Sequence, residues 1–281
     1  MTKVAILIAS HINYDGQIDL LDNCIKSILE QISKPKSIYV SISFENDSYK
    51  RQFRNILVKY SQILHPKIYF RISKEKKHQM EHLYNIYSNV DLDNYDMLMF
   101  CDDDDTYHIE RVGEFINAFN YGKHSENFGG VKECIKLQNN FHPQFDTPEY
   151  WCYGIIPNVI VDFFSFFKGP CYMLLQHKFG DLYFRHYLRK NSKYYTYVGI
   201  LDEGLGYTLY NYNINNKNSI CGKIERGLGN FQDNLLNHIL DCRSDSHFDK
   251  IIKDNSKIYK IDKKMIYSLK GIFQFCKYLY K

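Results

Sequence analysis

No stretch of this sequence approaches the roughly eighteen uncharged apolar residues that a membrane-spanning helix requires. The most apolar region, Val159 to Phe167, is interrupted by Asp162. The beginning, MTKVAILIASH, has one lysine and a short apolar run, and a polar, helix-like segment follows it directly. That leaves no room for the core and cleavage site of a secretory signal. Eight cysteines stand at 24, 101, 134, 152, 171, 221, 242 and 276, and no two form a CxxC pair. This spacing excludes zinc ribbons and thioredoxin chemistry, and without a secretory signal reduced thiols are expected. The dense basic face of a nucleic-acid binder is also missing, because the net charge is only +4. Nine Lys against three Asp fall between Phe248 and Lys281, so the first 247 residues are slightly acidic. No internal repeat is visible. The expected location is the cytoplasm, or the periphery of a membrane on its cytoplasmic side.

What is present is ordinary globular material, with 44% apolar and 24% charged residues. Aromatic residues make up 16%, including 25 Tyr. With Asn, Ile and Lys also abundant, surface tyrosines are read first as compositional bias. A length of 281 residues suits one large α/β domain with additions.

The first hundred residues alternate between two periods. Val4–Ala9 is a continuous apolar run, suited to a strand buried on both faces. Leu20, Leu21, Cys24, Ile25, Ile28 and Leu29 then repeat at helical spacing, and Pro35 follows. Strands are expected at 37–44, 67–72 and 97–101, and helices at 49–64 and 79–87. Three strand–helix units before a fourth strand predict a mostly parallel sheet flanked by helices. Beyond it, 109–119 reads as a helix and 129–137 as a strand, 138–168 as a long aromatic loop around Trp151, and 170–188 as a strand and then a helix.

The fourth strand ends abruptly in charge: DMLMFCDDDDTYH, residues 96–108. In a parallel α/β sheet, loops at the carboxyl ends of strands gather at the edge where ligands bind. Clustered carboxylates keep their charge when a hard cation sits among them. Mg²⁺ or Mn²⁺ binds through one or two carboxylates together with substrate phosphates. If the backbone stays extended, Asp102 and Asp104 face one way and Asp103 and Asp105 the other. Calcium binding of the EF-hand type is excluded, because the Gly and Glu its loop requires do not follow.

MLMFCDDDDTYHIERV resembles the nucleotide-sugar glycosyltransferases of GT-A fold, family-2-like, in which an apolar strand is followed by D-x-D-D and a helix. The resemblance covers roughly residues 3–210. It implies a single Rossmann-like domain at 1–215, with a nucleotide-sugar half at 1–107 and an acceptor half at 108–215. Residues 216–281 would form a small helical extension. By the same resemblance, Asp102 lies on the ribose side of the nucleotide with Asp103 next to it, Asp104 is the metal ligand, and Asp105 is an additional acid. Ser10 ends the first strand at the nucleotide, Glu45 reaches the base, and Lys77, Gln79 and His82 line the nucleotide. His108 stands where the family often has proline. LDEGLGYTLY is similar to the family's acidic pair opening a helix. It places Glu203, with Asp202 beside it, at the catalytic base. A later histidine, His238 or His247, would complete the metal site. The implied activity is metal-dependent transfer of a sugar from a UDP- or GDP-sugar, with Mn²⁺ or Mg²⁺, to a hydroxyl on a glycan, glycoprotein or glycolipid. Attack from the opposite face implies inversion.

Two other readings remain open. LMFCDDDDT also resembles the D-x-D-x-T of haloacid-dehalogenase-like phosphatases, with Asp102 as nucleophile, Asp104 as acid/base and Thr106 third. That motif ends the first strand of its domain, whereas three units precede it here, and its GDxxxD partner is missing downstream. The other reading is a non-catalytic nucleotide- or carbohydrate-binding module. Finally, KKMIYSLKGIFQFCKYLYK, residues 263–281, puts Met265, Leu269, Ile272, Cys276 and Leu279 on one helical face flanked by lysines. This face suits packing on the protein itself or contact with an anionic membrane.

Overall fold

The structure is a computed structural model. It describes residues 2–134, 149–167, 180–190, 195–201 and 208–213, together with Tyr172, Leu175, Gln176 and Asn216. The elements run in the order β1 (Val4–Ile12), α1 (Gln17–Leu29), β2 (Ser37–Phe44), α2 (Asp47–Ser61), β3 (Lys67–Ile72), α3 (Gln79–Tyr87), β4 (Met97–Asp102), β5 (Thr106–Tyr107), α4 (Arg111–Gly122), β6 (Phe128–Cys134), β7 (Tyr153–Ile155), α5 (Pro157–Ser165), α6 (Asp181–Lys190), β8 (Thr196–Leu201) and β9 (Tyr210–Asn211).

Seven strands form one sheet in the order β3-β2-β1-β4-β7-β6-β8. β1 pairs in parallel with β2 on one side and β4 on the other, which is why its sequence is apolar without alternation. Val4 through Ile8 are at most 1% exposed. α1 turns Ile18, Leu21, Cys24, Ile25 and Ile28 into the core. Gly16 precedes it with φ of +86°, a left-handed conformation that glycine adopts without a Cβ penalty. α2 is capped by Asn46, whose side-chain oxygen accepts from the Ser48 and Tyr49 amides at 3.0 and 3.1 Å. Helices pack on both faces of the sheet, as the α/β expectation requires.

The 138–168 loop expectation is corrected where the chain is described. β7 inserts antiparallel between β4 and β6, and α5 follows with Pro157 in its first turn. A three-residue strand is too short for any period to show in sequence. Gly130 makes the pairing possible, since a Cβ there would lie 2.1 Å from the Gly154 carbonyl oxygen. β8 lies parallel to β6 at the sheet edge and ends just before Asp202. The extension expected at 216–281 lies outside the described residues except for Asn216. No helix among the described residues is long and apolar enough to cross a membrane.

Candidate active site

The chain leaves β1, builds β2 and β3 on one side, and returns to build β4 on the other. Between β1 and β4 the strand order therefore reverses, and a crevice opens at their carboxyl ends. Ala9 is in register with Asp102, so Ser10 and the aspartate run share that edge.

β4 ends at Asp102, and the backbone then turns: the Asp105 amide donates to the Asp102 carbonyl at 3.2 Å. This corrects the expectation of two alternating pairs, because alternation requires extended backbone and the strand stops at the first aspartate. The four carboxylates fan out to different parts of the fold. Asp102 Oδ1 accepts from Gln79 Nε2 at 2.7 Å and from the Tyr150 hydroxyl. Asp103 Oδ2 accepts from Ser10 Oγ at 2.6 Å and Gln17 Nε2 at 3.0 Å. Asp104 Oδ2 accepts from Asn216 Nδ2 at 2.6 Å. Asp105 is buried, and both its oxygens are engaged, Oδ2 by the Tyr210 hydroxyl at 2.8 Å and Oδ1 by the Asn213 amide at 2.7 Å.

All four carboxyl groups are held above the ordinary carboxylate range. Burial is the first cause for each, followed by charge from Asp105 on Asp102, and from Asp104 on Asp103 and Asp105. Asp103 is pushed to about 7 and Asp105 to about 8. Asp102, Asp103 and Asp104 keep one side open to solvent, so their desolvation comes from the protein behind them. The site carries more negative charge than its own donors offset.

No three His, Cys, Asp or Glu side chains converge as a ligand set among the described residues. Asp102 Oδ2, Asp103 Oδ1 and Asp104 Oδ1 take no hydrogen bond from other described residues, whereas Asp105 has no oxygen to spare. Neighbouring carboxylates with an oxygen each to offer fit a cation that draws its other ligands from substrate phosphates and water.

Glu45, Lys77 and Gln79 lie along the same edge. Glu45 follows β2, and its Oε2 accepts from His11 Nε2 at 3.0 Å and Lys76 Nζ at 3.3 Å. The hydrogen bond from His11, followed by the hydrogen bond and charge of Lys76, holds its carboxyl below the usual range. Lys77 touches the site through its backbone, its amide donating to Ser43 Oγ at 3.3 Å. Gln79 begins α3 and joins Asp102 to the Tyr150 hydroxyl, each at 2.7 Å from Nε2. His82 is fully buried between Ser41 and Ser43, at 2.9 Å from each, and is not exposed at that edge. Asp202, Glu203, His238 and His247 lie outside the described residues.

Sequence reasoning missed Gln17, Tyr150, Tyr210 and Asn216. Gln17 and Tyr150 sit inside segments read as plain helix and loop. Asn216 falls at the start of the expected extension, and its amide reaches Tyr14 OH at 3.0 Å as well as Asp104. An open groove of about 720 Å³ beside β2 and β3 is lined by none of the predicted residues. Its rings are spent on each other, Tyr39 stacking on Tyr69 at 4.8 Å, and Arg71 donates to the Asn89 carbonyl at 2.7 Å.

Behind the aspartates, the Arg111 guanidinium pairs with Glu133, both fully buried. Arg111 also donates to the Trp151 carbonyl at 2.8 Å and lies over the Tyr107, Phe115 and Tyr210 rings. Glu133 Oε1 accepts from the Leu209 amide at 3.1 Å. This pair fastens the segment carrying Tyr210, and thereby the partner of Asp105, to the sheet.

Among solved structures, the chain is similar to TarS of S. aureus, with 11% identity and a TM-score of 0.48 over 99% of this chain and 49% of that one. It is also similar to TarS 1–349 in complex with UDP-GlcNAc, at 12% identity and a TM-score of 0.38, covering 57% and 47% of the two chains. For TarS 1–349 in complex with UDP the values are 11%, 0.41, 73% and 62%. The chain thus spans about half the length of the first of these. At such values the likeness says nothing of substrate. No curated protein matches the chain. Residues 8–182, from β1 to the start of α6, match the family model described as glycosyl transferase family 2. That match takes in more than half of the sequence and the aspartate run with Ser10, Gln17, Gln79 and Tyr150, and by it the chain belongs to glycosyl transferase family 2.

Proposed function

We propose that this chain transfers a sugar from a nucleotide-diphosphate donor to an acceptor hydroxyl, with a divalent cation and with inversion at the anomeric carbon. The observation that carries the reading is the switch-point crevice, where Ser10, Gln17, Gln79, Tyr150 and Asn216 all direct donors at the aspartate run. UDP- and GDP-sugars are the donor classes to test first. Family membership sets aside the phosphatase spelling of the same letters.

Asp104 and Asp102, each with an oxygen to offer, are the carboxylates we assign to Mn²⁺ or Mg²⁺, and His238 is a further candidate ligand. Bound there, the cation would neutralise charge on the diphosphate and improve it as a leaving group. The chain's own residues bind and orient. Gln79 and Tyr150 fix Asp102 against the ribose, Ser10 and Gln17 fix Asp103, and Glu45 with Lys77 borders the base. Asp105 keeps the 210–213 segment against the site. Glu203, or Asp202 beside it, takes the proton from the acceptor hydroxyl as that oxygen attacks the face opposite the departing nucleotide. Glycan, glycoprotein or glycolipid acceptors and contact of 263–281 with a membrane belong to the same reading.

The test is a thermal-shift and hydrolysis screen of UDP-, GDP-, CDP- and dTDP-sugars with and without Mn²⁺. Consumption of one donor, lost in Asp104→Ala and in Glu203→Gln or Asp202→Asn, is the expected result. Tight binding without turnover points instead to a binding module, and consumption of phosphate esters alone would restore the phosphatase.

A further inference from the structure

A polar relay runs from the end of β2 into the core. Glu45 Oε2 meets His11 Nε2 at 3.0 Å, and His11 Nδ1 meets Ser43 Oγ at 2.8 Å. Ser43 Oγ meets His82 Nε2 and Ser41 Oγ meets His82 Nδ1, both at 2.9 Å. The Lys77 amide donates to Ser43 Oγ at 3.3 Å, and Asn85 Nδ2 donates to Ser41 Oγ at 3.1 Å. Ser41, Ser43 and His82 are fully buried, the His11 side chain is 13% exposed, and Glu45 is half-exposed. The other titratable groups set against the two histidines are Lys76 and Lys77, from the loop before α3, and His78 at its N-cap.

Hydrogen-bond capacity fixes the arrangement while His11 is neutral. Amide nitrogens only donate, an ionised carboxylate only accepts, and a hydroxyl has one proton and two lone pairs. His11 therefore carries its proton on Nε2 against Glu45, and its Nδ1 accepts from Ser43. With its proton given, Ser43 accepts from the Lys77 amide and from His82 Nε2–H. His82 Nδ1 is then bare and accepts from Ser41, whose lone pair takes Asn85.

A second proton on His11, at Nδ1, reverses this order. Ser43 must now accept from His11, and it turns its own proton to His82 Nε2, which has to be bare. The His82 proton then stands on Nδ1 and points at Ser41, which accepts it beside Asn85. One proton is taken up from solvent, at His11; each serine keeps its own proton, and His82 stays neutral. Among these groups only the Ser41 hydroxyl proton loses the acceptor it had. Burial holds both histidines toward the neutral form, His82 down to about 3, so His82 can answer its neighbour by moving a proton but not by gaining one.

We propose that protonation of His11 at the edge of the sheet is relayed to the core as a change of tautomer in His82, from Nε2–H to Nδ1–H. Ser43 is the reversing element, and His82, a buried histidine that no step of the proposed reaction uses, becomes the reading end of a pH-sensitive switch. His82 lies on α3 one turn after Gln79, which holds Asp102, so the switch works within the element that orients the aspartate run. It stands apart from the nucleotide-sugar reading, and its failure leaves that reading intact.

The experiment follows the ring nitrogens of the full chain, labelled with nitrogen-15 histidine, by long-range proton–nitrogen NMR from pH 8 downward. Wild type, Glu45→Gln and His11→Gln are compared, His82→Gln assigns the His82 signals, and Tm is recorded for each. Wild type is expected to show His82 as Nε2–H at pH 8 and to convert it to Nδ1–H at the midpoint where His11 takes up its proton. Burial lowers His11, so that midpoint lies below 6.5. Glu45 favours the charged form of His11, so Glu45→Gln should move both midpoints to lower pH together. In His11→Gln the side-chain amide donates to Glu45 and accepts from Ser43 at every pH, and His82 should remain Nε2–H. If His11→Gln does not fold, Glu45→Gln, at a half-exposed position, still tests whether the two midpoints move as one. The inference is overturned by His82 as Nδ1–H at pH 8, by a tautomer that stays unchanged while His11 titrates, or by midpoints that separate in Glu45→Gln. A His11 that stays neutral down to acid unfolding overturns it too, as does conversion of His82 in His11→Gln, where another group would be driving it.

Discussion

The Asn216 side-chain amide donates to Asp104 Oδ2 at 2.6 Å, across 112 residues of chain. Asp104 is the carboxylate assigned here to the cation, and Asn216 occupies one oxygen while leaving the other to the crevice. Asn216→Ala therefore removes orientation and keeps the charge. Initial rates against Mn²⁺ and donor concentration should show a weaker KM by about tenfold, the worth of one hydrogen bond to a charged group, with kcat less affected. Asp104→Ala should lose turnover altogether. Equal losses in the two variants would contradict the assignment.

Asp105 and Tyr210 form a buried pair whose role is structural. The Tyr210 hydroxyl donates to Asp105 and also receives the Asp102 amide at 3.0 Å. Tyr210→Phe leaves a buried carboxylate oxygen and an amide unsatisfied, at a cost of about 1–3 kcal/mol each. Urea unfolding should register that loss, and a variant as stable as wild type would rule out the role.

Arg111 and Glu133 are both fully buried. Breaking such a pair costs about 3–5 kcal/mol because a bare charge stays inside. Glu133→Ala alone is expected to lose that much in denaturant unfolding. Arg111→Met combined with Glu133→Leu should lose distinctly less, since neither charge remains. Additive losses in the double variant would count against the mechanism.

His82 is buried and neutral, its pKa down from 6.5 to about 3 through desolvation. Between those values the unfolded chain binds a proton that the folded chain refuses. Stability from this group is therefore complete above pH 6.5 and is lost as pH falls toward 3, by up to roughly 1.4 kcal/mol per unit. His82→Gln removes the titration while keeping a donor and an acceptor. Unfolding free energies measured at pH 7, 6 and 5 should fall less steeply for His82→Gln than for wild type. Parallel slopes would show that His82 is not the group responsible.

Glu203 and Asp202 follow β8, whose last residue is Leu201. If Glu203 is the base, Glu203→Gln should abolish transfer to the acceptor while binding of the nucleotide sugar stays within about twofold, because the base acts on the acceptor proton and not on the donor. Calorimetric donor titration alongside a transfer assay separates the two. Loss in Asp202→Asn instead of Glu203→Gln would move the role to Asp202.

The first half of the fold was legible because its signals are local. β2, β3 and α3 fall at the residues the periodicity indicated, since a doubly buried strand needs an unbroken apolar run and a one-sided helix needs a 3.6-residue repeat. β7 escaped because three residues carry no period and its place between β4 and β6 is fixed by partners, with Gly130 allowing the close approach. The carboxylate run was legible as the carboxyl end of a buried strand, because apolar residues give way to charge within one residue at Cys101–Asp102.

The division of labour among the four aspartates was not legible. An extended reading pairs them by alternation, but the turn after Asp102 sends each to its own donor: Gln79 with Tyr150, Ser10 with Gln17, Asn216, and Tyr210 with Asn213. By itself, the sequence determined that a parallel sheet ends in carboxylates, because burial and periodicity act between near neighbours along the chain. Only the tertiary structure decided which of those carboxylates keep an oxygen clear of the other described residues and which has both engaged. Their hydrogen-bond partners lie up to 112 residues away, and a polar side chain carries no sign in sequence of what it will face once the chain has folded.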